Sequence, residues 1–320
     1  MEFDIRDDVI SASKLIGEFI RKTPLEFSPV LSELCDCKVY LKLENWQVTG
    51  SFKARGALNK ILRIDNSLYK KEVVTASTGN HAAAVAYALE KVNLSGRIFL
   101  PENVSAVKAE KLRKLRGITL EFIGNDSVVT EKKAKEYAEL HGLIYVSPYN
   151  DIEIINGQGT IGYEISKQLK KPDAVFVPVG GGGLISGVAG YLKHTGYSTE
   201  IIGCQPEKSS VMYESVKQGK ILDLPSYETI SDGTAGGVEE NSLTFDFCRK
   251  LIDSWIIVRE DEIINALKIM LWEHNLVVEG SAGLALASLL HEKSNYRGKS
   301  VVLILCGSKF NEALLKRLIC

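Results

Sequence analysis

The sequence predicts an α/β protein made of two open, parallel-type domains, with the smaller domain inserted in the larger. Short apolar segments alternate with segments of helical periodicity along the 320 residues, a pattern typical of parallel sheets flanked by helices. The segment Val301–Leu305 is apolar at every position, as expected of a strand buried on both faces. Turn-rich stretches near residues 46–50 and 141–151 indicate where the smaller domain begins and ends.

The individual elements follow the same apolar pattern. The strand-like segments are residues 39–43, 72–75, 96–100, 118–123, 174–179, 200–204 and 300–306. The helical segments are residues 54–62, 82–89, 104–116, 127–141, 151–170, 184–195, 259–275 and 281–293. With the two turn-rich stretches, they predict a large domain over residues 1–48 and 148–320 and a small domain over residues 49–147.

Composition and charge exclude several classes of protein. Lys and Arg number 39 against 40 Asp and Glu, which gives no electrostatic footprint for nucleic acid or an anionic membrane. No apolar run approaches the roughly 18 residues needed to cross a bilayer. The acidic start Met1–Asp4 lacks the basic and apolar parts of a signal peptide. We therefore expect a cytoplasmic protein with reduced cysteines, none of which has metal-site spacing.

The segment Thr49–Gly56 opens the first predicted helix and carries a candidate reactive lysine. Ser51 is predicted to cap this helix, which places Lys53 in the first turn. The positive helix end favours a neutral amine there, and Schiff-base chemistry requires a desolvated lysine with a lowered pKa. Phe52 offers an aromatic face to a planar ring. The alternative is an ordinary surface lysine.

A polar turn follows one predicted strand and precedes an alanine-rich helix. It consists of Ser77, Thr78, Gly79, Asn80 and His81. Backbone N–H groups and hydroxyls at the carboxyl end of a strand and the start of a helix suit an anion such as a carboxylate. An ordinary capped turn is the alternative, and His81 by itself is equally consistent with a structural residue.

Four successive glycines, Gly180, Gly181, Gly182 and Gly183, join a buried strand to an apolar helix that starts at about Leu184. Successive N–H groups without side chains form a nest for phosphate, which the helix dipole reinforces. The segment matches neither a Walker A loop nor a dinucleotide fingerprint. It therefore predicts a site for a single phosphate, with a flexible linker as the alternative.

The end of the central strand supplies a further candidate. Cys306 follows the all-apolar run, at the sheet edge where open α/β proteins bind ligands, and a thiol there can hydrogen-bond a heteroaromatic nitrogen. A small core residue is the alternative. Gly233 and Glu279 lie in weaker loop candidates, for which helix capping is the alternative.

Taken together, these segments resemble the fold-type II pyridoxal-phosphate enzymes, specifically the threonine/serine dehydratase and serine racemase family. The resemblance runs in collinear order over nearly the whole chain. Besides the glycine loop, it is carried by Arg21–Leu25, Lys42–Lys53, Pro148–Asp151, Gly157–Thr160 and Val278–Gly280. It implies the tryptophan synthase β-like arrangement of two domains, the cofactor pyridoxal 5'-phosphate and a homodimer.

The resemblance also implies roles around the cofactor. Lys53 matches the lysine that bonds to the cofactor aldehyde, Phe52 stacks on the ring, and Asn80 hydrogen-bonds the ring oxygen. Residues 180–184 hold the phosphate, and Cys306 takes the place of the partner of the ring nitrogen. The resemblance thereby turns separate candidates into one expected site.

The substrate side of the expected site is formed by two further groups. Residues 77–81 are expected to receive the substrate carboxylate, and Gly233 and Glu279 to line the remaining walls. Thr78 stands where serine racemases carry the serine that acts as a base on the opposite face of the substrate. Thr78 is therefore the second candidate catalytic residue.

Two further segments depart from the family pattern. Gln205 replaces the glutamate that begins the cation site in many relatives, and Ser209 and Val211 stand at or near its other ligands. Loss of an anionic oxygen weakens binding of a hard cation, so we expect no metal. In addition, Ser308 and Lys309 replace the commoner Gly-Asn after the last strand, which predicts an altered substrate preference.

The activity implied by the resemblance is that of a threonine/serine dehydratase, an ammonia-lyase. It eliminates water from a 3-hydroxy amino acid and yields a 2-oxo acid and ammonia. One alternative is a serine or aspartate racemase, and another is a dehydratase for a bulkier substrate, such as a hydroxyectoine-derived one. A different class is a non-catalytic vitamin-B6 binding protein, against which the retention of Lys53, Ser77 and Asn80 argues.

Overall fold

Two sheets organise the computed structural model, which describes residues 3–68, 71–125, 127–309 and 312–319. The strands are β1 (Leu25–Phe27), β2 (Lys38–Lys42), β3 (Val73–Ala76), β4 (Gly96–Leu100), β5 (Ile118–Phe122), β6 (Ile144–Tyr145), β7 (Ala174–Pro178), β8 (Glu200–Pro206), β9 (Ser254–Val258) and β10 (Ser300–Ile304). The helices are α1 (Arg6–Ile16), α2 (Pro29–Cys35), α3 (Lys53–Leu62), α4 (Asn80–Val92), α5 (Ala106–Arg113), α6 (Ser127–Leu140), α7 (Ile152–Gln168), α8 (Gly183–Leu192), α9 (Val211–Gln218), α10 (Leu243–Leu251), α11 (Glu260–His274), α12 (Gly280–His291) and α13 (Glu312–Ile319).

Both sheets are parallel apart from one edge strand. The six-stranded sheet has the order β1-β2-β10-β7-β8-β9, and only β1 pairs in an antiparallel manner. The four-stranded sheet has the order β5-β4-β3-β6 and is parallel throughout. This topology confirms the predicted α/β class. We propose that the domain limits, 49–147 within 1–48 and 148–320, follow the separation of the two sheets.

Strand β10 lies at the centre of the larger sheet, between β2 and β7. Val301–Ile304 are fully buried, which confirms that this apolar run forms a strand covered on both faces. Parallel pairing aligns Val301 with Ala174 of β7, so the two strands end at the same edge of the sheet. That edge carries Cys306 beyond β10 and the glycine loop beyond β7.

The predicted strands and helices are present, with ends that differ by a few residues. The sequence pattern missed three strands, β1, β6 and β9, of which β1 and β6 have 3 and 2 residues and are too short to show a period. It also missed the helices α1, α2, α9, α10 and α13. The predicted N-cap was wrong. Phe52 occupies that position without a side-chain cap, because Ser51 forms a bridge to Gly307.

Among the helices in the described ranges, none combines the length and apolar character that a membrane crossing requires.

Candidate active site

Lys53 begins helix α3, with its amine directed at the segment that follows β6. Its Nζ donates to the Pro148 carbonyl at 2.7 Å and lies 5.2 Å from the centroid of the Phe52 ring. Burial lowers the pKa of Lys53 to about 8, although the Glu131 carboxylate of α6 opposes this shift. The pKa moves in the direction that the sequence predicts, and burial is its main cause.

This shift predicts how the cofactor-free protein reacts with acylating reagents. A lysine whose pKa is about 8 gains its nucleophilic neutral form as the pH rises through that value, about two units earlier than an unperturbed lysine. Acetic anhydride pulses read by peptide mass spectrometry should show Lys53 labelling with a midpoint near pH 8 that levels off about one unit higher. Labelling of a short unstructured lysine peptide added to the same pulse should still rise at about pH 10, the value for an ordinary lysine. Identical profiles for both lysines would contradict the lowered pKa.

A buried ionic cluster lies beneath the first turn of α3. The Arg55 guanidinium donates to Glu44 at 2.8 Å from Nε and from Nη2, and to Glu164 of α7 at 2.7 Å from Nη1. Lys42 of β2 also pairs with Glu164, and the Arg55 and Lys42 side chains are fully buried. The cluster therefore fixes the helix that begins at Lys53 to β2 and α7. Sequence reasoning did not find it.

Helices α3 and α7 cross in close contact. A Cβ atom on Gly157 would lie 2.5 Å from Gly56 Cα, and a Cβ atom on Gly56 would lie 2.9 Å from the Ile154 carbonyl oxygen. Both distances are shorter than real Cβ atoms tolerate, so the crossing requires glycine on each helix. Together with Arg55, this contact sets the position of Lys53.

The predicted carboxylate turn lies between β3 and α4. Gly79 occupies the N-cap position of α4, and its N–H donates to Ser77 Oγ at 3.1 Å. The Thr78 side chain is partly buried. His81 is 3% exposed, with Nε2 3.2 Å from the Val146 carbonyl oxygen, and burial lowers its pKa to about 3. His81 is therefore neutral and held by the protein, which favours the structural interpretation of that residue.

Asn80, Glu279 and Cys306 form one cluster at the edge of the larger sheet. Asn80 Nδ2 donates to both Glu279 oxygens, at 3.1 and 2.9 Å, and the Cys306 thiol lies 3.7 Å from Glu279 Oε1. Burial raises the pKa of Glu279 to about 7 and that of Cys306 well above its usual range, so the thiol stays protonated. Gly233 adjoins the cluster, because a Cβ atom there would lie 3.5 Å from Glu279 Oε1.

The four-glycine segment forms a tight turn between β7 and α8. Gly182 has φ +87° and is the N-cap of α8, and a Cβ atom on Gly181 would lie 2.5 Å from the Tyr149 ring. In the described ranges, the N–H groups of residues 180–182 have no hydrogen-bond acceptor. Leu184 is buried in the first turn of α8. Free N–H donors in a cradle too small for side chains fit a phosphate group.

Pro148 and Tyr149 connect the lysine to this cradle. The Pro148 carbonyl accepts from Lys53 Nζ, and the ring of the next residue packs against Gly181. Asn80 Oδ1 is buried with no hydrogen-bond partner among the described residues, so it offers one further unused polar atom. The structure thus brings the sequence-predicted residues to one region. Neither Tyr149 nor Arg55 was singled out from the sequence, although both lie in or beside segments that carry the family resemblance.

The fold and site define an α/β enzyme with a partly buried lysine of lowered pKa, a cradle that fits one phosphate and a neutral thiol at the central strand. The residues present therefore fit a phosphorylated cofactor that bears an aldehyde and a heteroaromatic ring. The chain belongs to the pyridoxal-phosphate dependent enzyme family, whose model matches residues 16–307. The predicted family and the predicted cofactor are thereby confirmed.

Individual relatives agree with this assignment. The chain is similar to L-threonine ammonia-lyase of Thermotoga maritima, with 36% identity over 313 residues that cover 98% of this chain and 77% of that protein. It is 36% identical over 289 residues to the catabolic L-threonine dehydratase TdcB of Escherichia coli K12, covering 90% of this chain and 87% of that protein.

Solved structures show the same fold. The processed form of threonine deaminase isoform 2 from Solanum lycopersicum matches with a TM-score of 0.90 and 34% identity, covering 98% of this chain and 90% of that chain. Maize serine racemase matches with a TM-score of 0.90 and 32% identity, covering 98% of this chain and 96% of that chain. Both solved structures therefore share the fold over almost all of this chain.

The glycine cradle makes a direct prediction about cofactor affinity. Replacing Gly181 with alanine should weaken binding of pyridoxal phosphate at least about ten-fold, because the new methyl group meets the Tyr149 ring at 2.5 Å and displaces the loop. Fluorescence titration of the cofactor-free protein measures this. Gly237→Ala is the matched control, since a Cβ atom there makes an ordinary 3.6 Å contact. Equal affinities for the two variants would contradict the assignment of the cradle.

Proposed function

We propose that this protein is an ammonia-lyase that eliminates water from L-threonine or L-serine and releases a 2-oxo acid and ammonia. The observation that carries the proposal is the connection of the Lys53 amine to the phosphate cradle through Pro148 and Tyr149. The similarity to an L-threonine ammonia-lyase over 98% of this chain identifies the reaction.

The proposed roles follow the geometry of the site. Lys53 would hold the cofactor covalently, and its Nζ in the neutral form is the proposed base for the α-proton of the substrate. When bound, pyridoxal phosphate supplies a ring that withdraws electrons from the substrate α-carbon. The N–H groups of residues 180–184 would hold the phosphate, and Phe52 would supply the aromatic face for the ring. Residues 77–81 hold the substrate carboxylate.

We assign the cluster of Asn80, Glu279 and Cys306 to the edge of the cofactor ring. We assign the contact with the ring oxygen to the Asn80 amide, and the wall beside the ring to Gly233 and Glu279. The Cys306 thiol is protonated and neutral, because burial raises its pKa, so it does not stabilise a fully charged ring nitrogen as a carboxylate does. A neutral partner such as the Cys306 thiol at this position would favour loss of the β-hydroxyl over transamination.

The test is a coupled assay for 2-oxobutanoate from L-threonine and for pyruvate from L-serine. The holoenzyme should form stoichiometric ammonia and 2-oxo acid. No 2-oxo acid from either substrate, in protein whose cofactor spectrum is intact, would refute the proposed activity and revive a non-catalytic role in binding vitamin B6.

A serine racemase is the second candidate, and the match to maize serine racemase over 98% of this chain supports it. Thr78 lies in the proposed carboxylate turn, where its hydroxyl is the candidate base on the opposite face. Its β-branch restricts its rotamers, so elimination is favoured over racemisation. Chiral chromatography of products from L-serine distinguishes the two, since D-serine formed faster than pyruvate would favour the racemase.

We propose that no divalent cation binds tightly at the position of the family cation site. Gln205 Nε2 donates to the Val179 carbonyl at 3.1 Å, and Oε1 accepts from the Tyr213 N–H at 2.8 Å. Ser209 Oγ is engaged with Ser226 at 2.8 Å. These oxygens are already used and none is a carboxylate. Calorimetric titration with Mg²⁺ should show no micromolar binding, and such binding would contradict this proposal.

We propose a homodimer, as the family resemblance implies. Two large apolar side chains support it, because Phe27 is 50% and Trp272 59% exposed. The elements that carry them adjoin, with Ser28 Oγ 3.2 Å from His274 Nε2. Sedimentation velocity should give a dimer for the wild type and a monomer for Trp272→Glu, whereas a wild-type monomer would contradict the proposal.

We further propose a cytoplasmic location. The described cysteines Cys35, Cys37, Cys204, Cys248 and Cys306 are all free and buried, as suits a reducing compartment. Cell fractionation should recover the protein with cytoplasmic markers, and recovery outside the cytoplasm would contradict this.

A further inference from the structure

Glu239 lies in the segment that leads into α10 and bonds to two separate parts of the chain. Its Oε1 pairs with Lys135 Nζ of α6 at 2.9 Å, and its Oε2 accepts from Asn150 Nδ2 at 2.5 Å. Its backbone N–H donates to the Tyr149 hydroxyl at 2.9 Å. Glu239 therefore joins helix α6 to the segment that connects Lys53 with the glycine cradle.

The partners of Glu239 on the cradle side are themselves held in place. A Cβ atom on Gly181 would lie 2.5 Å from the Tyr149 ring, so this ring forms a wall of the cradle. Asn150 Oδ1 accepts from the Leu243 N–H at 2.9 Å, which fixes the amide that donates to the carboxylate. The carboxylate therefore reaches α6 from a fixed position beside the cradle.

Helix α6 in turn determines where the predicted carboxylate turn lies. Ala134 and Ala138 of α6 share one buried cluster with Val74 and Ala76 of β3. Strand β3 ends at Ala76, directly before the turn over residues 77–81. Because packed interiors resist local deformation, the position of α6 sets the position of this turn.

A second contact accompanies the ion pair along α6. Val128 and Lys135 are seven positions apart in the sequence, which places them about two turns apart on one face of the helix. A Cβ atom on Gly237 would lie 3.6 Å from Val128 Cγ2, and Glu239 pairs with Lys135. The segment over residues 237–239 therefore runs along this face of α6.

We propose that Glu239 is a positioning residue, which clamps α6 to Tyr149 and Asn150 and thereby holds the turn over residues 77–81 at its distance from the glycine cradle. This inference rests on the proposed function, because it takes that turn as the site of the substrate carboxylate. Glu239 acts through α6 and has no part in proton transfer. Loss of the clamp should therefore affect substrate binding more than cofactor binding.

The test is Glu239→Ala, which removes both side-chain contacts and keeps the backbone N–H to Tyr149. Glycine, which has no β-hydroxyl to lose, should bind the holoenzyme about five- to ten-fold more weakly, as read from the absorbance of the bound cofactor. Glycinamide, which lacks the carboxylate, should bind within about two-fold of the wild type. Pyridoxal phosphate should also bind the cofactor-free protein within about two-fold, because Arg55 fixes the helix of Lys53 to β2 and α7 independently.

Variants of Lys135 determine whether the effect passes through α6. Lys135→Met should weaken glycine binding by up to about five-fold, as loss of a partly exposed ion pair implies, and Lys135→Arg should keep wild-type binding. In the Lys135→Met background, Glu239→Ala should cost less than in the wild type, since the shared contact is already gone. Glu240→Ala is the matched control, because Glu240 is the next residue, is exposed and should change glycine binding less than about two-fold.

Unchanged glycine affinity in Glu239→Ala would overturn the inference, and so would an equal loss of affinity for glycine and glycinamide. An undiminished cost of Glu239→Ala in the Lys135→Met background would overturn it too, because the effect would then not pass through α6. Glycine binding is read without elimination. An absence of dehydratase activity would therefore refute the proposed function and leave this test separately decided.

Discussion

Replacing Lys53 with alanine is expected to lower the rate of L-threonine dehydration by at least about 1,000-fold. In the proposed reaction the amine at this position serves twice, as the covalent anchor of the cofactor and as the base that removes the α-proton. Its partial burial and its pKa, lowered to about 8, increase the neutral fraction that both roles need. The measurement is kcat/KM from the coupled 2-oxobutanoate assay, with the cofactor content of each preparation determined by absorbance.

Lys14→Ala provides the matched control, because Lys14 is an exposed lysine near the end of α1. This variant should keep wild-type activity within about two-fold, as is usual for surface substitutions. A Lys53→Ala enzyme that retains a tenth or more of the wild-type rate would show that another group carries the reaction.

Replacing Arg55 with methionine is expected to lower the free energy of unfolding by about 3–5 kcal/mol. The guanidinium is fully buried and bridges Glu44 and Glu164, so its removal leaves carboxylates buried with too few partners. Lys42 forms an ion pair with Glu164 only, so the charge of Glu44 would have no buried cation beside it. Urea unfolding of the cofactor-free protein, followed by circular dichroism at neutral pH, measures the change.

Arg97→Met is the control for Arg55→Met. Arg97 also bridges two carboxylates, Glu72 and Glu121, but all three side chains are partly exposed. An ion pair of that kind contributes at most about 1 kcal/mol. Equal losses for the two variants, or a loss below about 1 kcal/mol for Arg55→Met, would contradict the role assigned to the buried cluster.

The parts of the site that the sequence predicts are those in which local pattern determines structure. An all-apolar strand such as Val301–Leu305 suits only a position where both of its faces are buried. The segment therefore predicts the centre of the larger sheet. The four glycines follow a strand and precede a helix, which fixes the turn. Both predictions depend on neighbours in the chain, which a single sequence displays directly.

The parts that the sequence did not predict depend on contacts between distant residues. Arg55 and Glu164 are 109 positions apart, and nothing in either segment alone shows that they meet. Serine is a residue type that favours the N-cap position, but Ser51 forms a β-bridge with Gly307, far along the chain, and the helix begins after Phe52 instead. A charged residue within an apolar helix pattern, such as Arg55, is the sequence feature that indicates a buried ionic cluster.

The most direct test of the Lys53 assignment is peptide mapping of the holoenzyme after treatment with borohydride, which makes a lysine-bound cofactor permanent. We expect the cofactor mass on the peptide that contains Lys53 and its loss in Lys53→Ala, while Lys14→Ala retains it. Cofactor mass on another lysine, such as Lys309, with Lys53 unmodified, would contradict the central claim.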